Sequence, residues 1–276
     1  MNGDENVFDN NIKTESIPER VFELCKMVSK SDVEDAVARE RIEPKELNSS
    51  ATSYYPIIRE VCINELRLIE KENEKLKFVG DKKLLKNYDT FRMYCNSIVF
   101  NNQDTFFYKI VKCYLESNDA WLKYRTLTDV NIRREIQEKE KISLVSEQMM
   151  LGSRFWVSFL GFGYIQEGAA MFYLPNMHIA LQDFCEMAHL EKNKEYSVKE
   201  FVEEIFKYAS VALHRTLDTK EFNLAMSNAL RQMHDGKEIV IKNNLDSKEK
   251  WRLFYDNTHE FTDDITHIVY KGVKRA

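Results

Sequence analysis

Glycine and proline are scarce in this chain, at 8 and 4 of 276 residues, which excludes collagen-like and flexible-linker architectures and leaves little room for loop-dominated folds. The five cysteines, Cys25, Cys62, Cys95, Cys113 and Cys185, contain no C-x-x-C pair. That spacing excludes a paired zinc motif, and an odd number disfavours a complete disulfide framework. No apolar run is long enough to span a bilayer and no signal-peptide pattern is present, so a cytoplasmic, reduced protein without a membrane partner is expected. The phosphate loop G-x-x-x-x-G-K-[ST] and the zinc motif H-E-x-x-H are also missing. With them go the local signatures of nucleotide and metalloprotease chemistry. No catalytic residue, cofactor or resident metal is expected.

What is present points to packed helices. Hydrophobic residues make up 43% and aromatics 12%, enough for real cores, and long period-two alternation is rare. The expected class is therefore mainly α with short β-hairpins. At this length, two or three small domains are the natural division. The net charge of −5 argues against nucleic-acid binding by bulk electrostatics, because counterion release needs a positive face. Between Lys123 and Lys141 the basic residues are interleaved with acids, the pattern of a solvated helix.

Along the chain, residues 1–15 are rich in Asn, Asp and Glu and read as a mobile acidic arm. From Pro18, the residues Val21, Phe22, Leu24, Cys25 and Val28 form the apolar face of a first helix. Ser31-Asp32-Val33-Glu34 has capping-box spacing and predicts the start of a second. A third helix opens near Tyr54-Tyr55-Pro56, with the proline in its first turn. A charged hairpin follows over 68–79. These pieces predict a winged helix over 16–80. An aromatic-rich helical connector follows over 81–127, and a second winged-helix-like unit over 128–190 carries a hairpin of Tyr164-Ile165 with 171–174. A third unit, 191–276, has an enlarged wing of three short strands at 239–241, 251–255 and 265–270.

The clearest copy of the pattern is in this last unit. Leu224, Ala225, Ala229, Leu230 and Met233 recur at helical spacing, Asp235-Gly236 stops the helix, and Glu238-Ile239-Val240-Ile241 runs on as a strand. A recognition-type helix followed by a wing suggests a binding module. Tandem winged-helix units joined by a helical middle are the expected architecture.

The segments Arg154-Phe155-Trp156-Val157-Ser158-Phe159-Leu160-Gly161-Phe162-Gly163 and Ser227-Asn228-Ala229-Leu230, with Trp251-Arg252-Leu253 and Thr266-His267-Ile268-Val269, resemble the DpdG-like proteins. Those accompany bacterial 7-deazaguanine DNA-modification and phage-defence clusters. The resemblance covers the C-terminal half. It implies an accessory, non-catalytic component of a DNA-directed defence assembly, with other subunits of that assembly as partners, and carries over no catalytic residue.

If the winged helices read DNA, the helix places its polar residues in the major groove and the wing touches phosphates. In the first unit the candidate contacts are Ser50, Thr52, Ser53, Tyr54, Tyr55 and Arg59, with Lys71 and Lys75 on the wing. In the last unit they are Asn223, Ser227, Asn228, Arg231 and Gln232, with Lys242 and Lys248. Arg, Asn and Gln suit bidentate contacts to base edges. The competing reading is a protein-interaction scaffold for an ATPase or nuclease partner, favoured by the acidic balance and the aromatic middle.

An enzymatic reading ranks last. Asp246-Ser247-Lys248 has the D-x-K spacing of nuclease metal sites, with Asp235 as a second carboxylate, and Asp263, Asp264 and His267 offer oxygen and nitrogen donors. A polar wing loop and a strand edge account for them more simply. Gly161-Phe162-Gly163 fails as a dinucleotide fingerprint because Gln166 stands where the third glycine belongs, so the pair reads as helix-end glycines.

Overall fold

The structure is a computed structural model that describes residues 8, 12–46, 53–120, 129–167 and 171–275. The chain is mainly helical with small antiparallel sheets. Among the described residues no helix is long and apolar enough to cross a membrane. It divides into two compact units: unit 1 comprises 1–110 and 133–159, and unit 2 comprises 111–132 and 160–276. The expected boundaries at 128 and 190 do not coincide with this division, since 133–159 cluster with the first unit and 160–190 with the second.

Unit 1 begins with α1 (Pro18–Lys30), where Pro18 occupies the first turn and Val21, Phe22, Leu24, Cys25 and Val28 are buried, as the helical periodicity predicts. The chain then departs from expectation. Ser31 follows the end of α1, and Val33–Glu34 form a strand, β1, before α2 (Asp35–Ile42) begins. The capping-box spacing is overridden because Val33 and Glu34 pair with Leu76 and Lys75, and burying Val33 against that sheet outweighs a local cap. Next come α3 (Tyr55–Glu60), with Pro56 in its first turn, and a contiguous π turn over Val61–Glu65. The hairpin β2 (Ile69–Glu72) and β3 (Lys75–Phe78) closes the sheet in the order β1-β3-β2. Its two-residue turn, Asn73-Glu74, has both φ values positive, at 47° and 62°, as the right-handed twist of a tight hairpin requires.

The same unit adds α4 (Tyr88–Ile98), capped by the Asn87 and Thr90 pair, and the start of α5 (Phe106–Ser117). It also takes in most of α6 (Asp129–Glu140), where Ile132, in unit 2, and Ile136 are buried, and α7 (Glu147–Phe159). Ile142 falls beyond the end of α6. Of the expected acidic arm, residues 1–7 and 9–11 lie outside the described set. Phe8 is buried against Phe107 and Trp156, with centroids 5.4 and 4.9 Å away, and Ile12 is fully buried. Trp156 donates its indole N–H to the Ser16 carbonyl at 2.9 Å, and a Cβ on Gly152 would lie 2.7 Å from the Lys13 backbone. Ile12 and Ser16 are thus part of the core.

Unit 2 takes in the rest of α5 and then the predicted hairpin, β4 (Tyr164–Glu167) paired with β5 (Met171–Leu174). Gly161 and Gly163 (φ 81° and 124°) turn the chain into it, a conformation open to glycine at no steric cost. Then follow α8 (His178–Met187), β6 (Glu195–Ser197), α9 (Val198–Leu213), the short α10 (Thr216–Thr219) and α11 (Leu224–Asp235). The strands β7 (Ile239–Lys242), β8 (Trp251–Arg252), β9 (Asp264–Ile265) and β10 (His267–Tyr270) complete it. The three-stranded sheet has the order β6-β10-β7, while β8 pairs with β9 and, through Arg252, makes a parallel bridge to Glu221. The wing therefore has four short strands where three were expected, because Thr266 turns its amide to Lys242 between β9 and β10. The helix start expected at Tyr196-Ser197 is observed, with Ser197 and Glu200 forming a capping box at the head of α9, and the strand β6 that leads into it had no expectation behind it.

Both units share one sheet order. In each, a helix, a strand and further helices precede the last two strands of a three-stranded sheet whose first strand pairs with its last, β1-β3-β2 and β6-β10-β7. In unit 2 the hairpin β4–β5 comes before this run, and β8 and β9 interrupt it between β7 and β10. The register buries Val33 beside Leu76 in one sheet and Tyr196, Ile268 and Ile241 in the other.

Candidate functional site

In unit 1, one half-buried carboxylate gathers three of the candidate residues, Tyr55, Arg59 and Lys71. Asp35 is the first residue of α2, where an acid is favoured by the exposed N–H groups of the helix start. Tyr55 Oη donates to its Oδ1 at 2.6 Å, and Arg59 Nη1 and Lys71 Nζ donate to its Oδ2 at 2.6 and 2.8 Å. The Asp35 amide donates to the Glu74 carbonyl at 2.8 Å, so the same residue anchors the hairpin tip. Lys71 also reaches Glu74 Oε2 at 2.9 Å. Burial pushes the Asp35 carboxyl upward, but the bonds from Lys71 and Tyr55 and the nearby Arg59 outweigh it and hold the pKa below the usual value. Burial and the bond to Asp35 push the Tyr55 phenol well above its ordinary range.

The other first-unit candidates are arranged around this centre. Ser53 Oγ and the Tyr55 amide both donate to Glu43 Oε2, at 2.6 and 3.0 Å, which fixes the start of α3. The Tyr54 ring lies 4.4 Å beneath the Arg20 guanidinium, a cation–π contact. Lys75 is exposed on β3, directly opposite Glu72 on one side and Glu34 on the other. Ser50 and Thr52 lie outside the described residues. Arg59 and Lys71, with side chains 26% and 31% exposed, stand nearer the solvent than Asp35 at 13%.

In unit 2 the corresponding candidates are engaged within the fold. Asn223 caps α11 by accepting from the Met226 amide, and donates to the Ala212 carbonyl at 3.0 Å. Ser227 is buried; it donates to the Asn223 carbonyl and accepts from the Phe254 amide, both at 2.8 Å. Asn228 donates to the Pro175 carbonyl at 3.0 Å, and Gln232 accepts from Asn176 at 3.4 Å. Arg231 is only 4% exposed: its Nε donates to the Phe261 carbonyl (3.0 Å) and its Nη2 to those of Phe254 and Thr262 (2.8 Å each). Burial lowers its pKa, opposed by Asp256 and Asp263. Lys242 is ion-paired with Glu195, and Lys248 is exposed. A sequence reading places arginine on the solvent side of an amphipathic helix, whereas here the guanidinium gathers the carbonyls of a long wing loop.

The residues considered for metal chemistry are dispersed. Asp235 accepts from His259 (3.1 Å), Asp246 is exposed, Asp263 accepts from Thr262 and the Asp264 amide, and His267 contacts Asn244. Among the described residues no group of three or more His, Cys, Asp or Glu is placed to hold a metal ion.

Asp35 and Glu43 carry the first-unit arrangement and were not singled out by sequence. Their partners lie 10 to 36 residues away, beyond any helical or strand period, so no local pattern marks them. Unit 2 holds a second polar cluster that spacing does not reveal. His214 Nε2 meets Glu116 Oε1 at 2.8 Å beside a hollow of about 180 Å³ that also borders Asn118, Arg215, Thr216 and Asn223. No protein-family model, curated protein or solved structure matches the chain.

Proposed function

We propose that this chain is a non-catalytic subunit of a DNA-directed bacterial defence assembly, built from two winged-helix units, with unit 1 as its nucleic-acid contact. The observation that carries the reading is a repeated sheet order: in β1-β3-β2 and in β6-β10-β7 the strand that precedes the helices pairs with the last strand, which lies between the other two. The recognition-type element is α3 with its π turn, and the wing is β2–β3. Arg59 on α3 and Lys71 and Lys75 on the wing supply the cations for phosphate contact. In unit 2 the equivalent helix, α11, has Asn223, Ser227 and Arg231 engaged internally, so its role is to hold the enlarged wing. The resemblance to DpdG-like proteins supports the defence context.

A second reading, a scaffold for partner proteins, is favoured by one feature. Tyr164 and Leu174 face each other across the β4–β5 hairpin and are both exposed, an apolar pair of the kind that docks against another surface.

Binding of labelled duplex and single-stranded DNA across a salt series separates the two. A DNA reader loses affinity steeply with salt and weakens on Arg59→Ala. Absence of binding at low salt by the folded protein would remove the DNA reading and leave the scaffold, whose association should tolerate salt and fail on Tyr164→Ser.

A further inference from the structure

Arg59 and Lys71 bring two positive charges to the exposed side of the α3–wing junction, where Asp35 pairs with both and Glu74 pairs with Lys71. The four side chains sum to zero. Their depths differ: Asp35 lies beneath the cations at 13% exposure, whereas the Glu74 side chain is 83% exposed at the wing tip. We propose that Asp35 and Glu74 act as built-in counter-anions that occupy the cationic site in place of a phosphodiester, and so set the affinity of unit 1 for a nucleic-acid backbone. The inference rests on unit 1 being the DNA contact and adds how that contact is attenuated.

The physical argument is competition for the same donors. A phosphate reaching Arg59 and Lys71 from solvent meets the donors that Asp35 Oδ2 and Glu74 Oε2 already use. Glu74 can swing away at little cost because it sits on an exposed turn. Asp35 cannot, since Tyr55 Oη holds its other oxygen and its amide is bonded to the wing tip. The half-buried carboxylate therefore orients the two cations while cancelling half their charge. The site is ordered but weak, and strengthens when a carboxylate is neutralised.

The test is the salt-dependent affinity of the full chain for a labelled DNA duplex, comparing wild type with Asp35→Asn, Glu74→Gln, Arg59→Ala and Glu203→Gln. Glu203 is an exposed unit 2 carboxylate beside Lys199 and controls for a mere change in net charge. The expected result is about tenfold tighter binding for Asp35→Asn, a smaller gain for Glu74→Gln, and a log–log salt slope steeper by about 0.9, one added phosphate contact. Glu203→Gln should bind as wild type does. If wild type binds and Arg59→Ala weakens it, yet Asp35→Asn and Glu74→Gln bind no better, or Glu203→Gln gains equally, the counter-anion role is overturned and the DNA reading survives. If no variant binds, the DNA reading falls and takes this inference with it. Should Asp35→Asn fail to fold, Glu74→Gln alone decides, because its exposed side chain leaves the hairpin backbone bonds intact.

Discussion

Glu116 and His214 meet at 2.8 Å, Oε1 to Nε2, across nearly a hundred residues of sequence. The contact joins the end of α5 to the end of α9 within unit 2, and the Asn118 side chain two residues on accepts the Leu224 amide at the start of α11. The bond from His214 outweighs burial and holds the Glu116 carboxyl below its usual pKa of 4.5. A depressed carboxylate pKa contributes stability above the unfolded value and loses it as pH falls through the folded one. Glu116→Gln should therefore lower unfolding stability by about 1 kcal/mol at neutral pH. The gap to wild type should narrow as the pH is taken below the ordinary glutamate range, since the folded carboxyl protonates only below it. Urea titrations at both pH values measure it; a gap independent of pH would show that the carboxylate charge is not involved.

Arg231 governs a second stretch of unit 2. Replacing it with methionine removes its bonds to the carbonyls of Phe254, Phe261 and Thr262 and should cost about 3 kcal/mol. Arg231→Lys should recover only part of this, because an ammonium cannot reproduce the planar fork. Hydrogen exchange over 253–263 is the direct readout, with faster exchange expected in both variants.

The five cysteines are all buried, and burial pushes the thiols of Cys62, Cys95 and Cys185 upward in pKa. Cys25 and Cys62 lie 3.6 Å apart, sulfur to sulfur. Alkylation of the native protein at neutral pH should leave all five unlabelled, and brief denaturation should expose all five to reagent. Mass spectrometry counts the adducts. Rapid labelling of any one in the native state would contradict the packing described.

Gly161 tests the entry to the β4–β5 hairpin. Its φ is 81°, and an added Cβ would lie 2.7 Å from the Ala180 amide. Gly161→Ala should destabilise unit 2 by roughly 1–3 kcal/mol, whereas Gly236→Ala, with negative φ and its nearest neighbour at 3.2 Å, should cost less. Thermal unfolding of the two variants ranks them.

Sequence anticipated what local periodicity encodes. The buried face of α1, the proline in the first turn of α3, the glycines before β4 and the strand after Asp235-Gly236 all follow from spacing and backbone preference. It failed where long-range pairing competes with a local signal. Val33-Glu34 carry a capping pattern but pair with β3, and the helix start at Tyr196-Ser197 is observed, with Ser197 capping α9, yet nothing local announces that the same residues also pair with β10. The candidate contacts divide in the same way. Arg59 and Lys71 stand at a surface as the amphipathic pattern suggests, but Arg231 lies inside because wing-loop carbonyls, distant in sequence, converge on it.

The pairing of first strand with last in each three-stranded sheet also bears on how the units assemble. Val33 must await Leu76, and Tyr196 must await Ile268, so neither sheet can close until its final strand has been synthesised. Unit 1 closes the shorter loop, an entropic advantage of about 0.5 kcal/mol. Its sheet segment, 33–78, also precedes unit 2 along the chain. During translation the β1–β3 pair would form while α11 is still unmade, and the long wing loop pinned by Arg231 would be among the last parts to find its place.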